Sequence, residues 1–232
     1  MRKVTVVIPA LDPTDALVDL VRRIRPSFDR VLVVDDGSRA AGTVFGRLSG
    51  LDGVDVLVHP HNLGKGAALK TAFAAVLKND SETPGVVTVD ADGQHLPEDV
   101  ARVAEALLAN PGRFVVGTRS FGGRIPFRSR LGNLWTRWEF RLLTGVGVQD
   151  TQSGLRGIPR QLLPRLMEIE GDRYDYEIRV LVDCALHLGA PVEVPIATVY
   201  ADGNRSSHYR PLADTWNTQR ALFSAACRRF RF

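Results

Sequence analysis

Short β-branched runs alternate with helix-patterned stretches through the first half of the chain, and this rhythm restricts the fold more than any other feature. Residues 3–8 (KVTVVI), 30–34 (RVLVV), 54–58 (VDVLV), 85–89 (GVVTV) and 114–117 (FVVG) read as strands. The first is apolar enough to be buried on both faces, as strands of parallel sheets are. Between them, Thr14 is placed to cap a helix that carries Leu17, Leu20, Val21 and Ile24 on one side. Residues 66–77 are Ala-rich and helical, and Pro97 marks the first turn of a helix running to residue 108. Strand–helix alternation at this spacing predicts an α/β fold with a mostly parallel central sheet and helices on both faces. The second half is less regular, with helices expected over 131–143 and 175–188 and a strand over 192–199.

A length of 232 residues suits one generous domain. With 44% hydrophobic and 24% charged residues, the composition excludes disordered, collagen-like and disulfide-framework classes. Cys184 and Cys227 have no neighbour at metal-ligand spacing and fit a reducing compartment. No window approaches the ~18 apolar residues of a spanning helix, and the N-terminus leads into a strand rather than a signal peptide. A cytoplasmic protein is therefore expected. The net charge of +4 is unevenly spread: residues 205–232 hold six Arg against Asp214, and residues 113–141 hold seven Arg against Glu139. Such patches are either solvated faces or seats for an anionic surface.

In open α/β sheets a ligand sits beyond the carboxyl ends of the strands. Four of the expected strands run out into polar turns: Pro9-Ala10-Leu11-Asp12, then Asp35-Asp36-Gly37-Ser38, then Asp90-Ala91-Asp92-Gly93-Gln94-His95, then Gly117-Thr118-Arg119. Each alone is an ordinary turn. Asp90 and Asp92, two apart at a strand end, can share one hard divalent cation and leave positions for phosphate oxygens, or can be an Asp-rich turn. His61-Asn62-Leu63-Gly64-Lys65-Gly66 opens a helix whose N-terminus and lysine suit an anion. It matches neither the nucleoside-triphosphate loop nor the dinucleotide fingerprint, and by itself the motif favours a plain glycine-rich helix start.

Five motifs occur in order: V-V-I-P-A at 6–10, V-V-D-D-G-S at 33–38, N-L-G-K-G at 62–66, D-A-D-G-Q at 90–94 and D-T-Q-S-G at 150–154. Together they resemble family 2 glycosyltransferases of the GT-A fold (nucleotide-diphospho-sugar transferases). Within that family the chain is similar to the branch of dolichol-phosphate mannose synthases and polyprenyl-phosphate glycosyltransferases. The resemblance implies a catalytic domain over 1–211, with Pro9, Ala10 and Asp12 lining a nucleoside pocket and Asp36 at the base or ribose. Lys65 would help hold the donor, and Asp90, Asp92 and Gln94 would bind magnesium or manganese against the diphosphate. Arg119, and Arg128, Ser129 and Arg130, would meet the acceptor phosphate, for which an arginine fork is better suited than lysine. Arg205 and Arg210, in the loop at 200–211, would close over the donor.

The resemblance also implies inversion at the anomeric carbon, with cations stabilising the departing diphosphate. A hydroxyl acceptor needs a general base, whereas a lipid phosphate is already an anionic nucleophile. Tyr174-Asp175-Tyr176-Glu177 stands where hydroxyl-glycosylating relatives carry an acidic base motif, which favours the phosphate. Asp150 and Glu177 are the fallback bases, or else a helix cap or an ion pair to an arginine such as Arg156. The tail at 212–232, with Trp216, Phe223 and Phe230 among arginines, fits an interfacial helix on an anionic leaflet or a helix packed on the domain. The expected partners are a nucleotide sugar, a polyprenyl phosphate, a membrane surface and a membrane protein of the same pathway, but no nucleic acid. The competing readings are a polysaccharide-building transferase, a nucleotidyltransferase releasing pyrophosphate and, last, a nucleic-acid binder.

Overall fold

The computed structural model describes residues 2–40, 42–119 and 127–197, and the side chains of all of these except 2 and 127–135. Seven strands form one sheet: β1 (Arg2–Ala10), β2 (Phe28–Asp35), β3 (Val54–Val58), β4 (Gly85–Thr88), β5 (Val115–Arg119), β6 (Arg156–Pro159) and β7 (Val192–Ile196). Their order is β3-β2-β1-β4-β6-β5-β7. All run parallel except β6, which lies antiparallel between β4 and β5. The helices are α1 (Asp15–Ile24), α2 (Gly42–Ser49), α3 (Lys65–Asn79), α4 (Pro97–Ala109), α5 (Phe127–Thr144), α6 (Leu163–Met167) and α7 (Asp175–Leu188).

Strand alternation divides the core in two. Val6, Ile8, Val31 and Val33 face α1, α2 and α4, while Val7, Leu32 and Val34 face α3, α6 and α7. Side chains of successive strand residues point to opposite faces, so each apolar run supplies both layers at once. The apolar stripe of α1 is the expected one, with Leu17, Val18, Leu20, Val21 and Ile24 all buried. Thr14 occupies the N-cap position but makes no side-chain cap. Instead, the Leu17 N–H donates to its carbonyl at 3.1 Å. Pro97 opens α4 as expected.

Three elements exceed the expectation from sequence. The helices α2 and α6 and the reversed strand β6 were not foreseen, and β6 breaks the parallel order at the centre of one half of the sheet. The strand expected over 192–199 forms over Val192–Ile196, and its last two positions lie outside the described residues. The loop with Arg205 and Arg210 and the tail at 212–232 also lie outside them. Among the described residues, no helix is long and apolar enough to cross a membrane.

Candidate active site

The carboxyl ends of β1, β2, β4 and β5 share one edge of the sheet. Because β6 is reversed, its beginning lies at the same edge, with Arg156 opposite Thr88. The D-T-Q-S-G run therefore arrives beside D-A-D although it precedes a strand rather than trailing one. Thr88 Oγ1 donates to the Gly154 carbonyl at 2.8 Å, and the Gly117 N–H donates to the Leu155 carbonyl at 2.8 Å. A Cβ on Gly154 would fall on both carboxylate oxygens of Asp90, so only glycine lets these two motifs meet.

On the β1–β2 side, Pro9 and Ala10 are buried at the strand end, and the Ala10 carbonyl accepts the Asp36 N–H at 2.8 Å. Pro9, which has no N–H, lies past the part of β1 that pairs with β4. Asp12 adopts φ 44°, a left-handed conformation that aspartate tolerates better than most residues. Its N–H donates to Ser38 Oγ and its Oδ1 accepts the Arg39 N–H, both at 2.8 Å, which stitches the first two strand-end turns together. The side chain of Asp36, expected at the nucleoside, is buried and engaged elsewhere. Oδ1 accepts the Leu63 N–H at 2.9 Å, Oδ2 accepts the Gly64 N–H at 2.8 Å, and His59 Nδ1 lies 2.8 Å from Oδ1. His59 Nε2 reaches Thr71 Oγ1 of α3 at 2.9 Å. In this structure Asp36 anchors the glycine loop, and His59, which sequence reasoning passed over, ties that anchor to the helix.

The N-terminus of α3 is not an open anion seat. Its Ala67 N–H donates to the Asp172 carbonyl at 3.1 Å, and Gly64 and Gly66 are pressed against the same segment. The charge left at this place is that of Lys65. Its Nζ lies 2.6 Å from Asp90 Oδ1 and 2.6 Å from Glu177 Oε2, with the Tyr174 ring centre at 5.8 Å. Burial alone would pull the ammonium's pKa down, but the two carboxylates outweigh it and hold it above the ordinary lysine value. Asp90 is held far below the carboxylate range: its burial is overridden by Lys65 and by His95, whose Nε2 is 3.3 Å from Oδ2.

Asp92 goes the other way, raised by burial and by the Asp90 charge. Its Oδ1 accepts the Gln94 N–H at 3.0 Å, and no cation pairs with it among the described residues. Two adjoining carboxylates, one short of positive charge, suit a hard divalent cation that takes its other ligands from phosphate. Among the described residues no three carboxylate, histidine or cysteine side chains converge on one point, so a metal here needs oxygens from a substrate.

At the far side of the edge, Arg119 donates from Nε to Asp150 Oδ2 at 2.6 Å and from Nη2 to Oδ1 at 3.1 Å. Asp150 has 0% exposure and also accepts the Gln152 N–H. The arginine expected beside the fallback bases pairs with neither carboxylate: Arg156 donates to the Ser153 carbonyl and, at 2.6 Å, to the backbone carbonyl of Glu177. Asp150 is thus an ion-pair partner, but of Arg119, and Glu177 of Lys65. Arg128, Ser129 and Arg130 lie on the first turn of α5, where side chains are outside the described set.

The family model for glycosyl transferase family 2 matches residues 5–164. The chain is 28% identical over 210 residues to an uncharacterized protein of Methanocaldococcus jannaschii, covering 88% of this chain and 84% of that one. It is 28% identical over 221 residues to a UDP-N-acetylglucosamine–dolichyl-phosphate N-acetylglucosaminyltransferase of Methanococcus voltae, with 84% of this chain and 85% of that one covered. To a polyprenol monophosphomannose synthase of Mycolicibacterium smegmatis it is 30% identical over 209 residues, 84% and 77% of the two chains. Among solved structures it resembles glucosyl-3-phosphoglycerate synthase of Mycobacterium tuberculosis, in complex with Mn2+, UDP and phosphoglyceric acid. That likeness has a TM-score of 0.73 at 24% identity over 97% of this chain and 78% of that one, which speaks for the fold, GT-A.

Proposed function

The chain belongs to glycosyl transferase family 2, and from that membership we propose that it moves a sugar from a nucleotide-diphosphate donor to a polyprenyl phosphate at a membrane surface. One observation carries the choice of acceptor. Both fallback bases, Asp150 and Glu177, are tied to cations. A hydroxyl nucleophile would have to recruit one of them away from its partner, whereas a phosphate oxygen needs no deprotonation. The names of the Methanococcus and Mycolicibacterium relatives agree with a lipid-phosphate acceptor.

In this reading Pro9, Ala10 and Asp12 border the nucleoside and Lys65 faces the donor diphosphate. Asp90, Asp92 and Gln94 would hold magnesium or manganese, which when bound offsets the charge of the leaving nucleoside diphosphate. Arg119, aimed by Asp150, receives the acceptor phosphate, with Arg128, Ser129 and Arg130 completing that side. Arg205 and Arg210 close on the donor, and the tail at 212–232 meets the anionic leaflet.

The test is nucleoside-diphosphate release from a panel of UDP- and GDP-sugars with magnesium or manganese, with and without a short polyprenyl phosphate in liposomes. Release that requires both lipid phosphate and metal, and is lost in Asp92→Asn, is the expected result. Release to a sugar hydroxyl but not to the lipid would move the chain to polysaccharide synthesis. Loss of liposome flotation on removing residues 213–232 is expected, and unchanged flotation would remove the tail from the membrane reading.

A further inference from the structure

Lys65 is held by three groups from two parts of the chain: Asp90 after β4, and Tyr174 and Glu177 at the start of α7. Its ammonium stands against Asp90 Oδ1, one of the oxygens the leading carboxylate of the D-A-D pair would give to a metal. Oδ2 faces His95 Nε2 at 3.3 Å, and Gly154 lies directly against both oxygens. While Lys65 keeps this place, Oδ1 of Asp90 is taken by an ammonium and Oδ2 lies against an imidazole, although the side chain keeps 28% exposure. Among the described residues, Asp92, two residues on, accepts only a backbone N–H.

We propose that Lys65 is an exchangeable internal cation: it fills the place at Asp90 that a divalent cation requires, and Glu177 is the positioning residue that keeps the ammonium within reach when Asp90 turns to the metal. The inference rests on the donor and metal reading of this site. A donor diphosphate offers Lys65 a new anionic partner beside Glu177, so nucleotide arrival releases Asp90 and thereby admits the metal. Metal and nucleotide then strengthen each other's binding by the same factor, as linkage requires. Three carboxylates and one ammonium otherwise leave the site short of positive charge, so the exchange relieves repulsion rather than creating it. The role also explains why Glu177 spends its carboxylate on a lysine instead of facing the acceptor.

The experiment is Mn2+ binding to the full chain, monitored by loss of the free-ion electron paramagnetic resonance signal, with and without UDP or GDP. Wild type is expected to bind Mn2+ weakly alone and about tenfold more tightly with the matching nucleotide, within the usual range of coupled sites. Lys65→Met is expected to bind Mn2+ alone about tenfold more tightly than wild type, with the nucleotide's effect reduced to what its own phosphate oxygens add as ligands. Lys70→Met is the control. It removes the same charge from the same helix, but its ammonium pairs with Asp172 at 3.0 Å and does not touch Asp90. Equal tightening in Lys70→Met, or none in Lys65→Met, overturns the proposal. Absence of Mn2+ binding by wild type with either nucleotide overturns the metal reading beneath it instead.

Glu177 has its own readout. Glu177→Gln is expected to raise the donor KM about tenfold while kcat stays within about twofold and the pH–rate profile keeps its shape, a loss of binding rather than of chemistry. Glu177→Asp, which keeps the charge on a shorter arm, should recover part of that KM. A collapse of kcat at unchanged donor KM, with the acid limb of the profile removed, would make Glu177 the general base and refute its positioning role.

Discussion

The guanidinium of Arg119 gives Nε and Nη2 to the two oxygens of Asp150, a carboxylate wholly withdrawn from water. A half-exposed arginine on its own samples many rotamers. One clamped on two donors by a buried fork keeps its plane and its aim. Asp150 therefore acts on the acceptor side through Arg119. Asp150→Asn keeps the shape and weakens the clamp, and we expect the KM for polyprenyl phosphate to rise about tenfold with the donor KM unchanged. Steady-state kinetics in both substrates decide this: a fall in kcat alone would point to a base. Sequence spacing placed Asp150 near the chemistry and allowed it an arginine partner, but not Arg119 in particular, because the identity of an ion pair depends on which strand ends adjoin. The same holds for Asp36, whose motif is plain in the chain while its engagement with Leu63 and Gly64 is a matter of loop folding.

Strand β6 decides what the elements can bring together. Four residues, Arg-Gly-Ile-Pro, carry too little periodic signal to announce a strand, and their Gly and Pro argue against one. In the fold they are held from both sides, by β4 and β5, so tertiary pairing overrides local preference. The parallel strands β1, β2, β4 and β5 were readable because each buries both faces along most of its length and so shows as an apolar run, and the edge strand β3 by its β-branched residues. α3, α4 and α7 showed by their helical pattern, whereas α2, with two glycines in eight residues, did not. The contact of Lys65 with Glu177 joins α3 to α7 and leaves no trace in spacing. At the entry to β6, Gly154→Ala would push a methyl group into the Asp90 carboxylate. The overpacking should cost about 1–3 kcal/mol in chemical denaturation. Because Asp90 must shift, product formation should fall about a hundredfold, well beyond what lost stability explains. Near-normal turnover in a destabilised variant would separate Gly154 from the site.

At the scale of the whole molecule, the core facing α3, α6 and α7 buries two groups that resist deprotonation. Burial pushes the Cys184 thiol from the ordinary value of 9.0 up to about 12. It also raises the Tyr176 phenol, which Arg156 pulls partly back and whose hydroxyl donates to the Leu166 carbonyl at 2.8 Å. The folded chain thus holds these protons after the unfolded chain has lost them. Their contribution to stability is complete below about pH 9 and declines as pH rises toward about 12, at up to about 1.4 kcal/mol per pH unit for each proton. Urea midpoints at pH 8 and pH 11 measure the decline, and Cys184→Ala with Tyr176→Phe should flatten it. An equal decline in that double variant would trace it to other groups.

The reversed strand also sets an order of events during synthesis. Among the described residues, β5 finds strand neighbours only in β6 and β7, and β4 keeps an open edge until β6 fills it. A ribosome-bound chain that has not reached residue 156 can close the β1–β2–β3–β4 portion with its Asp12 and Asp36 turns, while Lys65 still waits for Glu177. It cannot yet seat Arg119. The acceptor half is completed last, from partners distant in the chain, and until then the newborn protein carries a sticky strand edge that a chaperone has reason to cover.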